Sequence, residues 1–298
     1  MTMFGWLLYC ILRVSIMSYS AEQVTAVTEV KPEVTRPTGD EDTPEAVTAN
    51  AIAEYVEAEE ELLLNSDKSN ITQEIANYND SIVAANTIDF SDKTILCLGD
   101  SLTAGRGASL DEYGNGIGYA NYIADYLDCD VLKYGVGGST IGTYQGDSFC
   151  YRYEDMADEA DIIIVFGGVN DFLTNKNFGD ESLTEGTYTG DLNKLMNSLR
   201  DEYPDSDIFF VTIYRNQAEE ALDVTPEHSL SDYMDWQKKL AGDYDIEVID
   251  IYNTYYLDGH DQNNYSNYFF DTVHLNDDGY RILGKYLSAE LIKYYAFN

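Results

Sequence analysis

Basic residues are scarce in this chain. Its 298 residues include 17 Lys and Arg against 54 Asp and Glu, a formal charge of −37 at neutral pH. A field of that sign repels polyphosphates and anionic membrane surfaces, so nucleic acid is excluded as an expected partner. The acidic excess itself reads as a heavily solvated surface. Histidine is rarer still, with three residues, at 228, 260 and 274. They are widely separated, and no Cys/His spacing resembles a zinc site, so neither a metal nor any other cofactor is expected. Of four cysteines, Cys10 falls in the N-terminal segment and Cys97 inside an apolar strand, where a buried, inert thiol is expected. Cys129 and Cys150 could form one disulfide in an exported protein.

Three nucleotide and hydrolase signatures are also missing. From Gly135 the pattern G-x-G-x-x-G would need glycine where Thr140 stands, and no Gly-Lys-Ser or Gly-Lys-Thr exists to make a phosphate loop. The G-x-S-x-G elbow around Ser101 would need glycine where Thr103 stands, which separates the chain from lipase-like α/β-hydrolases. No apolar run has the ordinary length of a membrane span. The stretch from Phe4 to Met17 is short for one, is interrupted by Arg13, and leads into Ser18, Ser20 and Ala21. That arrangement resembles a secretory signal over residues 1–21 with a cut near Ser20 or Ala21, although basic residues do not precede the apolar core. Export to the extracellular space or cell surface is expected, with a retained anchor, and hence attachment to the cell surface, as the alternative.

Prolines number five, three of them in residues 22–48, a Thr- and Glu-rich stretch without a lasting period. It reads as an extended linker. Residues 49–90 follow with two helical patterns: Ile52, Tyr55, Val56, Leu62 and Leu63 on one face, then Ile71, Ile75, Tyr78 and Ile82 at spacings of four, three and four. A helical hairpin or stalk is expected there. From 91 to 298 short apolar strands alternate with amphipathic helices. Strands are expected at 94–98, 131–134, 162–166, 208–213 and 247–249, and helices at 117–127, 189–203, 231–241 and 278–294. Such alternation implies a mainly parallel sheet of five strands covered on both faces, with sites at the carboxyl ends of the strands.

Chemistry-bearing residues fall at those ends. Ser101 stands in "LGDSL" where the first strand stops. A serine hydroxyl attacks a carbonyl only with a base to take its proton and donors to hold the oxyanion. His274 supplies a base in "DTVH", with Asp271 three residues earlier, close enough to orient the imidazole in a tight turn. His228 and His260 sit in polar sequence and read as solvated loop residues. Asn170 in "GVND" follows the third strand, and Gly135, Gly137 and Gly138 in "GVGGST" follow the second. Asp100 and Asp171 read as loop-holding hydrogen-bond acceptors, because another negative charge beside an oxyanion opposes the reaction.

"GDSL" at 99–102, "GVGGST" at 135–140, "GVND" at 168–171 and "DTVH" at 271–274 stand in the order found in SGNH (GDSL-type) hydrolases. The resemblance covers about residues 93–294. It implies a flavodoxin-like three-layer α/β/α sandwich and metal-free hydrolysis of esters or thioesters. It assigns Ser101 as nucleophile, His274 as base and Asp271 as its orienting acid. The Ser101 and Gly138 N–H groups and the Asn170 amide would form the oxyanion hole. Two positions depart from the pattern: Tyr134 where Asn is common and Leu275 where Pro is common. The 26 tyrosines, several just before Asp271, read mainly as half-buried packing, although an exposed one could stack on a sugar ring. The expected substrate is therefore a small-molecule or polysaccharide ester, an acetyl group on a carbohydrate first, with lysophospholipase or thioesterase activity as the alternative. A non-catalytic carbohydrate-binding module is the second alternative.

Overall fold

The computed structural model describes residues 71–298, apart from 145, 176 and 223–225. The expected signal, linker and first hairpin helix lie outside the described residues. The chain divides into two compact units, one being Phe90–Leu287 and the other the residues up to Asp89 with Ser288–Asn298. In the latter, α1 (Ile71–Ala85) buries Ile71, Ile75, Tyr78 and Ile82, the stripe its spacing predicts.

In Phe90–Leu287 the strands are β1 (Thr94–Gly99), β2 (Asp130–Gly135), β3 (Ile162–Phe166), β4 (Asp207–Val211) and β5 (Glu247–Ile249). They pair in the order β2-β1-β3-β4-β5, and every pairing is parallel. Helices lie on both sides of the sheet, the three-layer α/β/α arrangement expected of the sequence. The central strands are apolar throughout because both their faces are covered: Ile95–Leu98 and all of β3 are buried. Each such Ile or Val contributes about 1.5–3 kcal/mol. Edge strand β2 instead alternates, leaving Leu132 43% exposed.

The longer helices are α3 (Tyr119–Leu127), α6 (Tyr188–Glu202), α7 (Leu230–Ala241) and α9 (Asp277–Phe297). Side-chain oxygens start two of them: Thr187 accepts from Gly190 N–H, and Ser229 from Asp232 N–H. Four short α-helices also lie among the described residues: α2 (Ser101–Ala104), α4 (Phe149–Arg152), α5 (Val169–Thr174) and α8 (Gln262–Tyr268). Among the described residues no helix is long and apolar enough to cross a membrane.

Three local expectations change. The strand read to residue 213 leaves the ladder at Val211, after which Thr212 N–H bonds Ile249 O and Ile213 N–H meets Met234 Sδ. The helix read from 117 begins at Tyr119, because Gly116 bridges to Leu110 in an antiparallel pair. Cys129 and Cys150 are not bonded to each other. Cys97, Cys129 and Cys150 are free thiols, and Cys150 Sγ faces the carbonyls of Ile141 and Asp191. Cys97 is fully buried, and desolvation pushes its thiol up to about 12, so it stays protonated and inert.

Candidate active site

Strand order reverses at the junction of β1 with β3, the crevice where open parallel sheets carry their sites. β1 ends at Gly99 because the chain folds straight back into α2. A Cβ there would lie 1.9 Å from Thr103 Oγ1 and 2.7 Å from Phe166 O, so only glycine fits. Asp100 then caps α2, accepting from Leu102 N–H at 2.9 Å, and Ser101 is its first residue.

Across 173 positions of sequence, Ser101 Oγ lies 2.8 Å from His274 Nε2. The other ring nitrogen of His274, Nδ1, lies 2.9 Å from each carboxylate oxygen of Asp271. The tight turn anticipated for 271–274 is present. Asp271 Oδ1 also accepts from Val273 N–H at 2.9 Å and His274 N–H at 2.7 Å, and Phe269 pairs with Leu275 across the loop. Burial acts to raise the Asp271 carboxyl, but those N–H groups and the imidazole outweigh it and hold it below the ordinary Asp value. His274 is held below the ordinary histidine value, chiefly by burial, with Asp271 pulling the other way.

The second glycine block runs beside the serine: a Cβ on Gly137 would lie 3.8 Å from Ser101 Cβ. Gly138 takes a left-handed φ of 79°, a conformation that suits glycine, and faces open space. Among the described residues, neither the Ser101 N–H nor the Gly138 N–H makes a hydrogen bond. Asn170, the second residue of α5, donates from Nδ2 to Asp100 Oδ2 at 3.1 Å and to Ser139 O at 2.9 Å. Both hydrogens of its amide are therefore engaged, and donation to a substrate oxygen would share one of them.

Asp100 and Asp171 hold loops. Asp171 accepts from Ile141 N–H at 2.9 Å, Gly142 N–H at 2.8 Å and the Tyr144 hydroxyl, fixing the turn after the glycine block. Full burial pushes Asp100 up to about 7 and Asp171 up to about 6.

Other supports carry no motif. Arg152, the last residue of α4, donates to Tyr134 O and Gly99 O at 2.8 Å and to Ser139 Oγ at 2.9 Å. One guanidinium thus ties the ends of β1 and β2 to the residue after Gly138. The Tyr214 hydroxyl donates to Val273 O at 2.6 Å, and Tyr280 donates to Arg106 O at 2.8 Å. The only sequence signal for these groups is a lone arginine and two of many tyrosines. The remaining histidines stay out of the site. His228 lies in a loop, half-buried, with its ring stacked on Phe178 at 3.8 Å, and exposed His260 contacts Asp258 and Glu220. The tyrosines before Asp271 largely pack inward: Tyr256 is buried, and Tyr252 and Tyr255 flank Arg215. Among the described residues, no group of three or more His, Cys, Asp or Glu side chains is arranged to hold a metal ion.

A hydroxyl bonded to an imidazole that a carboxylate orients, next to two unengaged N–H groups, is equipped to attack an acyl carbon and hold the resulting oxyanion. On a five-stranded parallel sheet covered on both sides, this arrangement defines a serine hydrolase of the SGNH fold. The chain belongs to the GDSL-like lipase/acylhydrolase family, whose pattern matches residues 97–282. It is accordingly an ester-hydrolysing enzyme, and the reading as a binding module without turnover gives way. A protein from Lactobacillus plantarum of solved structure is 27% identical, with a TM-score of 0.58 over 68% of this chain and 97% of that one. A lipase/acylhydrolase from Enterococcus faecalis is 18% identical, with a TM-score of 0.51 over 67% of this chain and 95% of its own. An acetyl xylan esterase from Geobacillus stearothermophilus is 19% identical, with a TM-score of 0.50 over 68% and 96%. No curated protein gives a significant match.

Proposed function

We propose that this protein is an exported serine esterase that removes short acyl groups, acetyl first, from a carbohydrate. Ser101 Oγ attacks the ester carbonyl while His274 Nε2 takes its proton, and Asp271 steadies the imidazolium that forms. The Ser101 and Gly138 N–H groups, with a shared hydrogen of Asn170, hold the oxyanion. Collapse expels the alcohol, protonated by His274, and leaves an acyl-enzyme. Water, deprotonated by His274, then releases the acid. The observation that carries this reading is the 2.8 Å contact of Ser101 Oγ with His274 Nε2, backed by Asp271.

Phe270 supports the carbohydrate side. It is 61% exposed, and its N–H bonds His274 O at 2.8 Å, so a bare aromatic ring sits on the histidine loop, suited to stacking on a sugar face. Export rests on the apolar N-terminal stretch alone. Lysophospholipid or thioester hydrolysis is the competing reading. The test uses the full chain, since the boundary between the two units falls inside α9. Parent and Ser101→Ala are compared on p-nitrophenyl acetate, p-nitrophenyl octanoate and acetylated xylan. Release of acetate by the parent alone, with the short chain preferred, supports the proposal. Preference for octanoate moves the assignment to lipids or thioesters.

A further inference from the structure

With 54 acids to 17 bases in the chain, a surface cation meets a carboxylate almost anywhere. Lys93 pairs with Asp161, Arg215 with Asp258 and Lys238 with Asp250, while Arg152 and Arg200 donate to backbone carbonyls. Arg106 differs. It is exposed, and among the described residues its guanidinium has no carboxylate within 4.0 Å and makes no hydrogen bond.

Its place is fixed against the site. The Arg106 N–H donates to Ser101 O at 2.9 Å, and its carbonyl accepts from the Tyr280 hydroxyl at 2.8 Å. Gly107, next in the chain, backs onto the histidine loop so closely that a Cβ would meet Leu275 O at 2.4 Å and Phe270 Cβ at 2.9 Å. Arg106 therefore stands between the turn that carries Ser101 and the loop that carries His274, next in the chain to the glycine that packs on Phe270. Its charge reaches the imidazole, adding to the burial and opposing Asp271 in setting the His274 proton affinity. The nearby acids are otherwise occupied: Asp271 by His274, and Asp277 by the N–H and hydroxyl of Ser109. A planar guanidinium left open in this position matches a carboxylate by two parallel N–H···O bonds.

We propose that Arg106 is a specificity-determining residue, its guanidinium binding a carboxylate carried by the ester substrate, so that the enzyme favours acidic esters over neutral ones. This rests on the esterase reading above. It also supplies the local attraction that a chain of charge −37 otherwise denies to an anionic substrate.

Two matched pairs test it, each read as a ratio of kcat/KM, anionic over neutral, at a pH where the rate has levelled off. One pair is the mono-p-nitrophenyl ester of glutarate against p-nitrophenyl valerate, with the charge on the acyl side. The other is acetylated polygalacturonate against acetylated xylan, with the charge on the alcohol side. Arg106→Gln lowers the ratio about fivefold or more in the pair whose charge the site reads, and Arg106→Lys restores part of it. High salt shrinks the parent's ratio and leaves that of Arg106→Gln nearly unchanged. A ratio that stays within about twofold of the parent's in both pairs overturns the proposal while leaving the esterase reading intact. A parent that cleaves none of the four substrates overturns both.

Discussion

Arg152 and Ser139 are joined by a 2.9 Å hydrogen bond from Nη2 to Oγ, and the same nitrogen bonds Gly99 O at the end of the serine's strand. Ser139 in turn receives the Asn170 amide on its carbonyl and follows Gly138 directly. The guanidinium is thus a positioning group for the donors expected to meet an oxyanion.

Arg152→Met should lower kcat about tenfold or more while leaving KM within about twofold, because the donors matter most when negative charge has formed. A boronic acid that forms a tetrahedral adduct with Ser101 should lose affinity in parallel with kcat/KM. Equal loss of KM and kcat with unchanged boronate binding would mark Arg152 as merely structural. Part of its four-bond anchorage should also appear as a lower melting temperature, since Nε additionally holds Asp147 O at 3.0 Å.

The rate should follow the protonation of His274. The base must be neutral to accept the serine proton, and burial holds its affinity below the ordinary value near 6.5. Activity is therefore lost as pH falls through a value under about 6.5 and is level above it. Asp271→Asn removes the group that favours the imidazolium. It should move this limb lower and reduce kcat about a thousandfold or more. A limb above pH 7 in the parent would contradict the account.

Buried carboxylates give stability the opposite trend. Asp100 and Asp171 rise to about 7 and about 6 in the folded chain from an ordinary 3.8, so the native state binds more protons than the unfolded one. Their contribution to stability is greatest below pH 3.8 and is lost as pH rises through about 6 to 7. Melting curves between pH 4 and 8 should show Asp100→Asn gaining on the parent as pH increases. A constant difference across that range would mean that Asp100 is ionised throughout.

Much of this fold was legible because its strands are covered on both faces. A run such as Ile162–Phe166, five residues long and mostly β-branched, reads as a strand covered on both faces, and the residues ending those runs marked the sheet edge where Ser101, Gly138 and Asn170 stand. His274 and Asp271 were legible through their spacing of three, which a tight turn converts into contact. The short helices α2, α4 and α5 were not, since four to six residues carry no period and are held by tertiary bonds such as Asp171 to Ile141 and Gly142. Arg152 and Tyr214 were hidden for a related reason. Most of their bonds go to main-chain carbonyls distant in sequence, such as Gly99 O and Val273 O, and nothing in a neighbour's identity announces a carbonyl partner. The stacking of His228 on Phe178 was hidden because the two rings are distant in sequence.

The most direct test of the central claim is a trapping measurement by mass spectrometry. The full chain, reacted with p-nitrophenyl acetate and quenched in acid, should gain one acetyl group on Ser101, and Ser101→Ala should gain none while losing turnover. Acetate release by Ser101→Ala near the parent rate, or an acetyl group trapped on another residue essential for turnover, would contradict the account.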